Sequence, residues 1–153
     1  MPLLLISCSN SSKPHTDPFY TDKSDFDMSR VPLVKPYLVI NIPPSNNWII
    51  QTEDTDTSFC MGTIPGTKYI NLVDSAIFAY SKNTIIDGQA AKEGWFVVVP
   101  QKHILRGFKT RKEYLNYLDT IKLKDPKMYR IEEVFHYFVD NDALDWKKLN
   151  RLY

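Results

Sequence analysis

WFVVVPQKHILRGFKTRKEYLNYLDTI, residues 95–121, is where the chain changes its structural grammar. Trp95 to Val99 is apolar at every position, as a strand covered on both faces reads. Pro100 stops the run, because it has no N–H to give to a ladder. Further on, Thr110 stands three residues before Glu113 in a capping box, and Tyr114, Leu115, Leu118 and Ile121 fall on one stripe of the helix that box starts.

Upstream of this switch the pattern is β. Leu38, Ile40 and Ile42 alternate with Val39 and Asn41 until Pro43-Pro44, and a turn at Ser45-Asn46-Asn47 leads to a hairpin partner in Trp48-Ile49-Ile50. A short strand is expected over Phe59 to Ile64, then two more over Lys68 to Val73 and Ala76 to Ser81, with turns at Lys82-Asn83 and Asp87-Gly88. Downstream the pattern is helical. Ile131, Val134, Phe135, Phe138 and Val139 keep the i, i+3, i+4, i+7, i+8 spacing, opposite a polar face of Glu132, Glu133 and His136. A last short helix is expected over Ala143 to Leu149, capped by Asp142 or Asp145. Strands first and helices last predict an α+β domain: an antiparallel sheet of about five or six strands followed by two or three C-terminal helices packed on one face.

The 153 residues, 43% hydrophobic and 13% aromatic, suffice for one such core. With 19 basic and 18 acidic residues the charges nearly cancel, which argues against general nucleic-acid binding. The longest apolar runs, Leu3 to Ile6 and Trp95 to Val99, are strand-sized and far short of a bilayer span.

Few residues are spaced for chemistry. His15, His103 and His136 are scattered, with no HExxH or CxxC spacing, so no metal site is predicted. No GxGxxG, GxxxxGK[ST] or GxSxG occurs, and no cofactor or small-molecule substrate is predicted. Asp140-Asn141-Asp142 to Asp145 lacks the glycine and distant glutamate of a calcium loop and reads as helix capping. Cys60 reads first as a small core residue; a thiol nucleophile paired with His103 or His136, in a small hydrolase, is the alternative.

Near the N-terminus, Leu5-Ile6-Ser7-Cys8 resembles the lipobox of bacterial lipoproteins over residues 3 to 8. The resemblance implies that residues 1–8 are a signal remnant, with residues 1 to 7 removed, and that Cys8 is acylated and anchors the chain to a membrane. Residues 9–30, rich in Ser, Asp and Pro, then read as a flexible tether, and residues 31–153 as the folded domain. The other reading makes Pro2 to Ser7 the first strand of the sheet.

One charge feature stands out: Lys102, Arg106, Lys109, Arg111 and Lys112 fall in an eleven-residue stretch without an acid, expected as an exposed loop and first helical turn. Positive charge is disfavoured at a helix N-terminus, which marks the segment as a candidate partner-binding patch. Nine tyrosines and three tryptophans add residues enriched at interface hot spots. Together these features predict a non-enzymatic envelope lipoprotein whose domain binds another protein, with an immunity or inhibitor role as its possible form. The alternatives are the hydrolase and a cytoplasmic protein that holds an anionic partner through residues 102–112.

Overall fold

The computed structural model describes residues 17–25, 27–52 and 63–152. Eight strands run in chain order as an antiparallel meander: β1 (Ser24–Asp25), β2 (Met28–Pro32), β3 (Tyr37–Asn41), β4 (Trp48–Thr52), β5 (Ile64–Val73), β6 (Ala76–Ile86), β7 (Gln89–Val99) and β8 (Ile104–Phe108). Helix α1 (Arg111–Thr120) follows, then a two-residue strand β9 (Tyr129–Arg130) that pairs with β5, then α2 (Ile131–Asn141) and α3 (Trp146–Leu152). The fold is α+β, with an antiparallel sheet preceding three helices and more strands than the five or six expected. No helix among the described residues is long and apolar enough to cross a membrane.

Tight turns set the register of the long strands. Asp74 and Ser75, at φ 50° and 65°, join β5 to β6, and Asp87 and Gly88, at φ 50° and 75°, join β6 to β7. Two-residue turns with both φ values positive match the right-handed twist of the strands they connect. The turn expected at Lys82-Asn83 does not reverse the chain. β6 runs through it, with Asn83 at φ 50°.

Alternation along β6 and β7 divides the apolar residues between two faces. Ile77, Ala79, Phe96 and Val98 enter a large core closed by Ile131, Val134 and Phe138 of α2 and by Trp146 and Leu149 of α3. Ala76, Phe78, Val97 and Val99 enter a smaller core closed by Tyr114 and Leu118 of α1. The helices therefore do not share one face: α1 lies opposite α2 and α3. A strand apolar on both faces requires this, since each face needs its own cover.

Helix ends follow local chemistry. Thr110 caps α1 as expected, accepting from the Glu113 N–H at 3.3 Å while the Glu113 carboxylate accepts from the Thr110 N–H at 3.2 Å. Asp145 accepts from the Lys148 N–H at 3.0 Å and so caps α3, whereas Asp142, at φ 58°, ends α2. Two long-range bonds fix α3: the Trp146 indole N–H donates to the Pro32 carbonyl at 3.0 Å, and Asn150 bonds Asn71 and the Leu72 carbonyl at 2.8 and 3.0 Å.

Part of the expected tether is folded. Phe19, in a short 3-10 turn over Pro18–Tyr20 capped by Asp17, is only 6% exposed and packs with Leu38 and Ile40. Arg30 and Lys35 lie 5.5 and 5.9 Å from its ring centre. Lys23 donates to the Val139 carbonyl at 2.8 Å and to the Asp142 carboxylate at 2.7 Å, fastening this segment to the end of α2. The aromatic side chains supply the burial that the Ser/Asp/Pro composition lacks. Residues 9–16 lie outside the described part.

Candidate functional site

The α1 face of the sheet carries a row of aromatic residues drawn from four strands. The register places Tyr69 of β5 opposite Tyr80 of β6, Tyr80 opposite Trp95 of β7, and Trp95 opposite Phe108 of β8. On the far side of Tyr69 the row continues into Arg130 of β9. Tyr69 and Tyr80 have ring centres 6.1 Å apart, and Tyr80 and Trp95 5.0 Å apart, at tilted angles. Cross-strand aromatic pairs of this kind add about 0.5–1.5 kcal/mol each beyond burial.

The row joins α1 at one end and opens at the other. Phe108 packs against Tyr114 and Tyr117 of α1 at 6.2 and 5.2 Å, and the Arg106 guanidinium lies 5.6 Å from the Tyr117 ring centre. Burial pushes the Tyr114 hydroxyl above the ordinary tyrosine range, with the nearby Asp125 carboxylate adding to the shift. Tyr69 at the open end is 40% exposed. Beside it, between β5, β9 and α2, is a cavity of about 470 Å³ whose wall includes Tyr69, Lys127, Arg130, Glu133 and Tyr137. The Tyr80 hydroxyl donates to Glu93 at 2.6 Å, and this bond, with a smaller contribution from burial, pushes its pKa up to about 12.

The sequence-predicted basic residues do not form one patch. Residues 104–108 are a strand rather than a loop, and Phe96 packs over Gly107, the residue opposite it on β8. Arg106 on that strand stacks on Tyr117, Arg111 bonds Asp125 at 2.9 Å, and Lys109 donates to Gln89 at 3.3 Å. Lys112 is exposed in the first turn of α1, while Lys102 sits on the short turn before β8, beside a different cavity. His103 and His136 are both exposed. Cys8 and Cys60 lie outside the described residues. Among the described residues no group of three or more His, Cys, Asp or Glu could hold a metal ion.

The aromatic row was missed in the sequence although its signal is present. Tyr69 lies four residues before Val73 and Tyr80 four after Ala76, so the Asp74-Ser75 turn brings them opposite. Tyr80 lies six before Ile86 and Trp95 six after Gln89, so the Asp87-Gly88 turn does the same. Fold and surface thus define an α+β domain with a partly open aromatic sheet face bordered by arginines. No protein-family model matches the chain, and neither a curated protein nor a solved structure matches it.

Proposed function

We propose that this domain is a non-enzymatic protein-binding module whose partner docks on the α1 face at Tyr69, Tyr80 and Arg130. The observation that carries the reading is the aligned row, with Tyr69 40% exposed at its open end and Arg130 opposite it. Tyr, Trp and Arg are the residue types that dominate binding energy at protein interfaces, where they sit at the centre of a desolvated patch. Arg106 and Arg130 border the row, so a partner with an apolar segment flanked by carboxylates is complementary to it. A stable complex would bury about 1,200–2,000 Å².

The envelope setting belongs to the same proposal. It rests on the resemblance of Leu5-Ile6-Ser7-Cys8 to a lipobox, with Cys8 as the acylated residue and an immunity or inhibitor role as one form of the binding. Stable anchoring needs more than one acyl chain, which the triacyl form implied by that resemblance supplies. The intact mass of the protein purified from its native host tests this: a chain beginning at an acylated Cys8 supports it, and an unmodified chain keeping Met1 to Ser7 overturns it.

The binding face is tested with a photo-reactive residue at Tyr69, identification of the cross-linked protein by mass spectrometry, and calorimetry with that protein purified. Y69S and R130E should each weaken binding by about tenfold or more. Equal affinity for the wild type and both variants refutes the docking face.

A further inference from the structure

At the opposite end of the α1 face, about four residues and so roughly 13 Å along the strands from the aromatic row, a second cavity of about 440 Å³ opens between the C-terminus of α1, the β5–β6 turn and the end of β7. Its floor is apolar: Ala76, Phe78 and Val99 are buried residues of the smaller core, and Ile121 and Leu123 pack against that core.

The rim is cationic, and the way α1 ends makes it so. The Leu123 N–H donates to the Leu118 carbonyl at 2.9 Å and Lys122 takes φ 59°, a Schellman-type termination. That motif turns Leu123 back onto the apolar floor and leaves Lys122 and Lys124 exposed. Lys102, from the turn after β7, completes three lysines around the opening, against Asp74 as the one acid in its wall. No salt bridge or side-chain hydrogen bond among the described residues engages any of the three.

We propose that this cavity binds a small amphiphilic anion, a carboxylate on a medium-length apolar chain, with its tail on Ala76, Phe78 and Val99 and its head among Lys102, Lys122 and Lys124. The volume lies within the range of small-ligand pockets, about 300–1,000 Å³, and an apolar lining with a few convergent charges is their usual make-up. Three lysines facing one aspartate select a negative head, and the apolar floor selects an alkyl tail over a hydrophilic anion. The site does not depend on the protein-docking row.

The test is a titration of the isotope-labelled full chain with decanoate, followed by backbone amide shifts. Decanoate has roughly twelve non-hydrogen atoms, for which a Kd on the order of 0.1–1 mM is expected. Shifts should centre on Ala76, Phe78, Val99 and Leu123. K102Q/K122Q/K124Q should weaken binding by about tenfold while leaving the spectrum otherwise native, since all three side chains are exposed. Decanol and inorganic phosphate should each bind far more weakly, because each supplies only half of the ligand. Several outcomes overturn the proposal: no decanoate shifts at millimolar concentration, shifts centred elsewhere, equal binding to the triple variant, or decanol binding as tightly as decanoate. Saturation by an acidic peptide with an apolar C-terminal residue, at concentrations where decanoate leaves these amides unmoved, would instead reassign the cavity to a protein partner.

Discussion

Gly66→Ala tests the close approach of β5 to β6 just beyond the register shift between Thr67 and Tyr69. Gly66 has φ +74°, and a Cβ built on it would lie 1.8 Å from the Lys82 carbonyl oxygen and 2.9 Å from its carbon. The nearest tolerable approach is about 3.0 Å, so backbone must separate by at least 1.2 Å, the difference between 3.0 and 1.8. The atom in the way is main chain, which cannot rotate aside. Left-handed backbone costs a non-glycine residue about 1–2 kcal/mol. Opening β5 from β6 by this much would break one or two ladder bonds worth about 0.5–1.5 kcal/mol each, and would loosen the fully buried Thr67 and Ser81 opposite one another beside it. These terms together come to about 1.5–5 kcal/mol, with the loosening of Thr67 and Ser81 favouring the upper part of that range. Gly88→Ala is the matched control: its φ is +75°, but no atom lies within 4 Å of the added Cβ, so only the conformational cost of about 1–2 kcal/mol applies. Urea unfolding of the two variants, followed by tryptophan fluorescence, reads the difference directly. Losses equal within about 0.5 kcal/mol would refute the close approach of β5 to β6 at this point.

Other perturbations probe separate parts of the fold. Thr110→Ala removes the oxygen that accepts from the Glu113 N–H and should cost about 1 kcal/mol in urea unfolding. Trp146→Phe removes the donor to the buried Pro32 carbonyl contact and leaves space beside it; a loss of about 2–4 kcal/mol is expected in the same assay. The Tyr80 hydroxyl, hydrogen-bonded to Glu93, titrates near 12 instead of 10. Because its folded pKa is raised, its stabilising contribution is whole below pH 10 and is lost as pH climbs from 10 through 12. In ultraviolet difference titration Tyr80 should ionise late alongside the buried Tyr114 and Tyr37, and Glu93→Ala should return one of these late tyrosines toward 10.

The sequence made some elements legible and concealed others for physical reasons. Helix α1 was readable because its cap is a local exchange between Thr110 and Glu113, and α2 because Ile131, Val134 and Phe138 repeat at helical spacing. β7 was readable from Trp95 to Val99, yet the same run, apolar on both faces, already required two covers, and assigning all helices to one face ignored that. β8 was hidden because Arg106 and Gly107 are poor strand signals; pairing with β7 and the Phe96 ring over Gly107 make the strand, and both are tertiary. Phe19 was hidden because the adjacent pair Phe19-Tyr20 in a polar segment has no periodicity, and only the apolar patch of Leu38 and Ile40 gives it a place to go. Asn83 carried a true local signal for left-handed backbone, spent inside a long strand rather than at its end. The candidate site was concealed differently: its residues are scattered along the chain, and the turns that align them had to be combined with a count of residues on either side.

The two faces of the sheet are covered unequally, and this decides where recognition can occur. The large core is closed by α2 and α3, with the Trp146 indole bonded to Pro32 and Asn150 clasping Asn71 and Leu72. The opposite face receives the Pro18–Tyr20 turn over β3 and the ten residues of α1 over β7 and β8. A helix of that length covers about 15 Å at 1.5 Å per residue, whereas eleven-residue strands such as β6 and β7 span roughly 36 Å. α1 therefore cannot cover the whole of β7: the lysine-rimmed cavity lies where α1 stops beside the last residue of that strand, and the aromatic row crosses the middle of β6 and β7 from Phe108 under α1 to Tyr69 on β5. A partner on the row would meet Tyr117, and an anion in the cavity would meet Ile121, so both would touch the same helix. Ordering α1 at one end lowers the entropy that must be lost at the other, which gives positive coupling without any change of shape. Amide exchange of α1 measured with decanoate bound is the observable for that coupling: slower exchange over Tyr114 to Leu118 should accompany tighter binding at Tyr69, and unchanged exchange would mean that the two ends act independently.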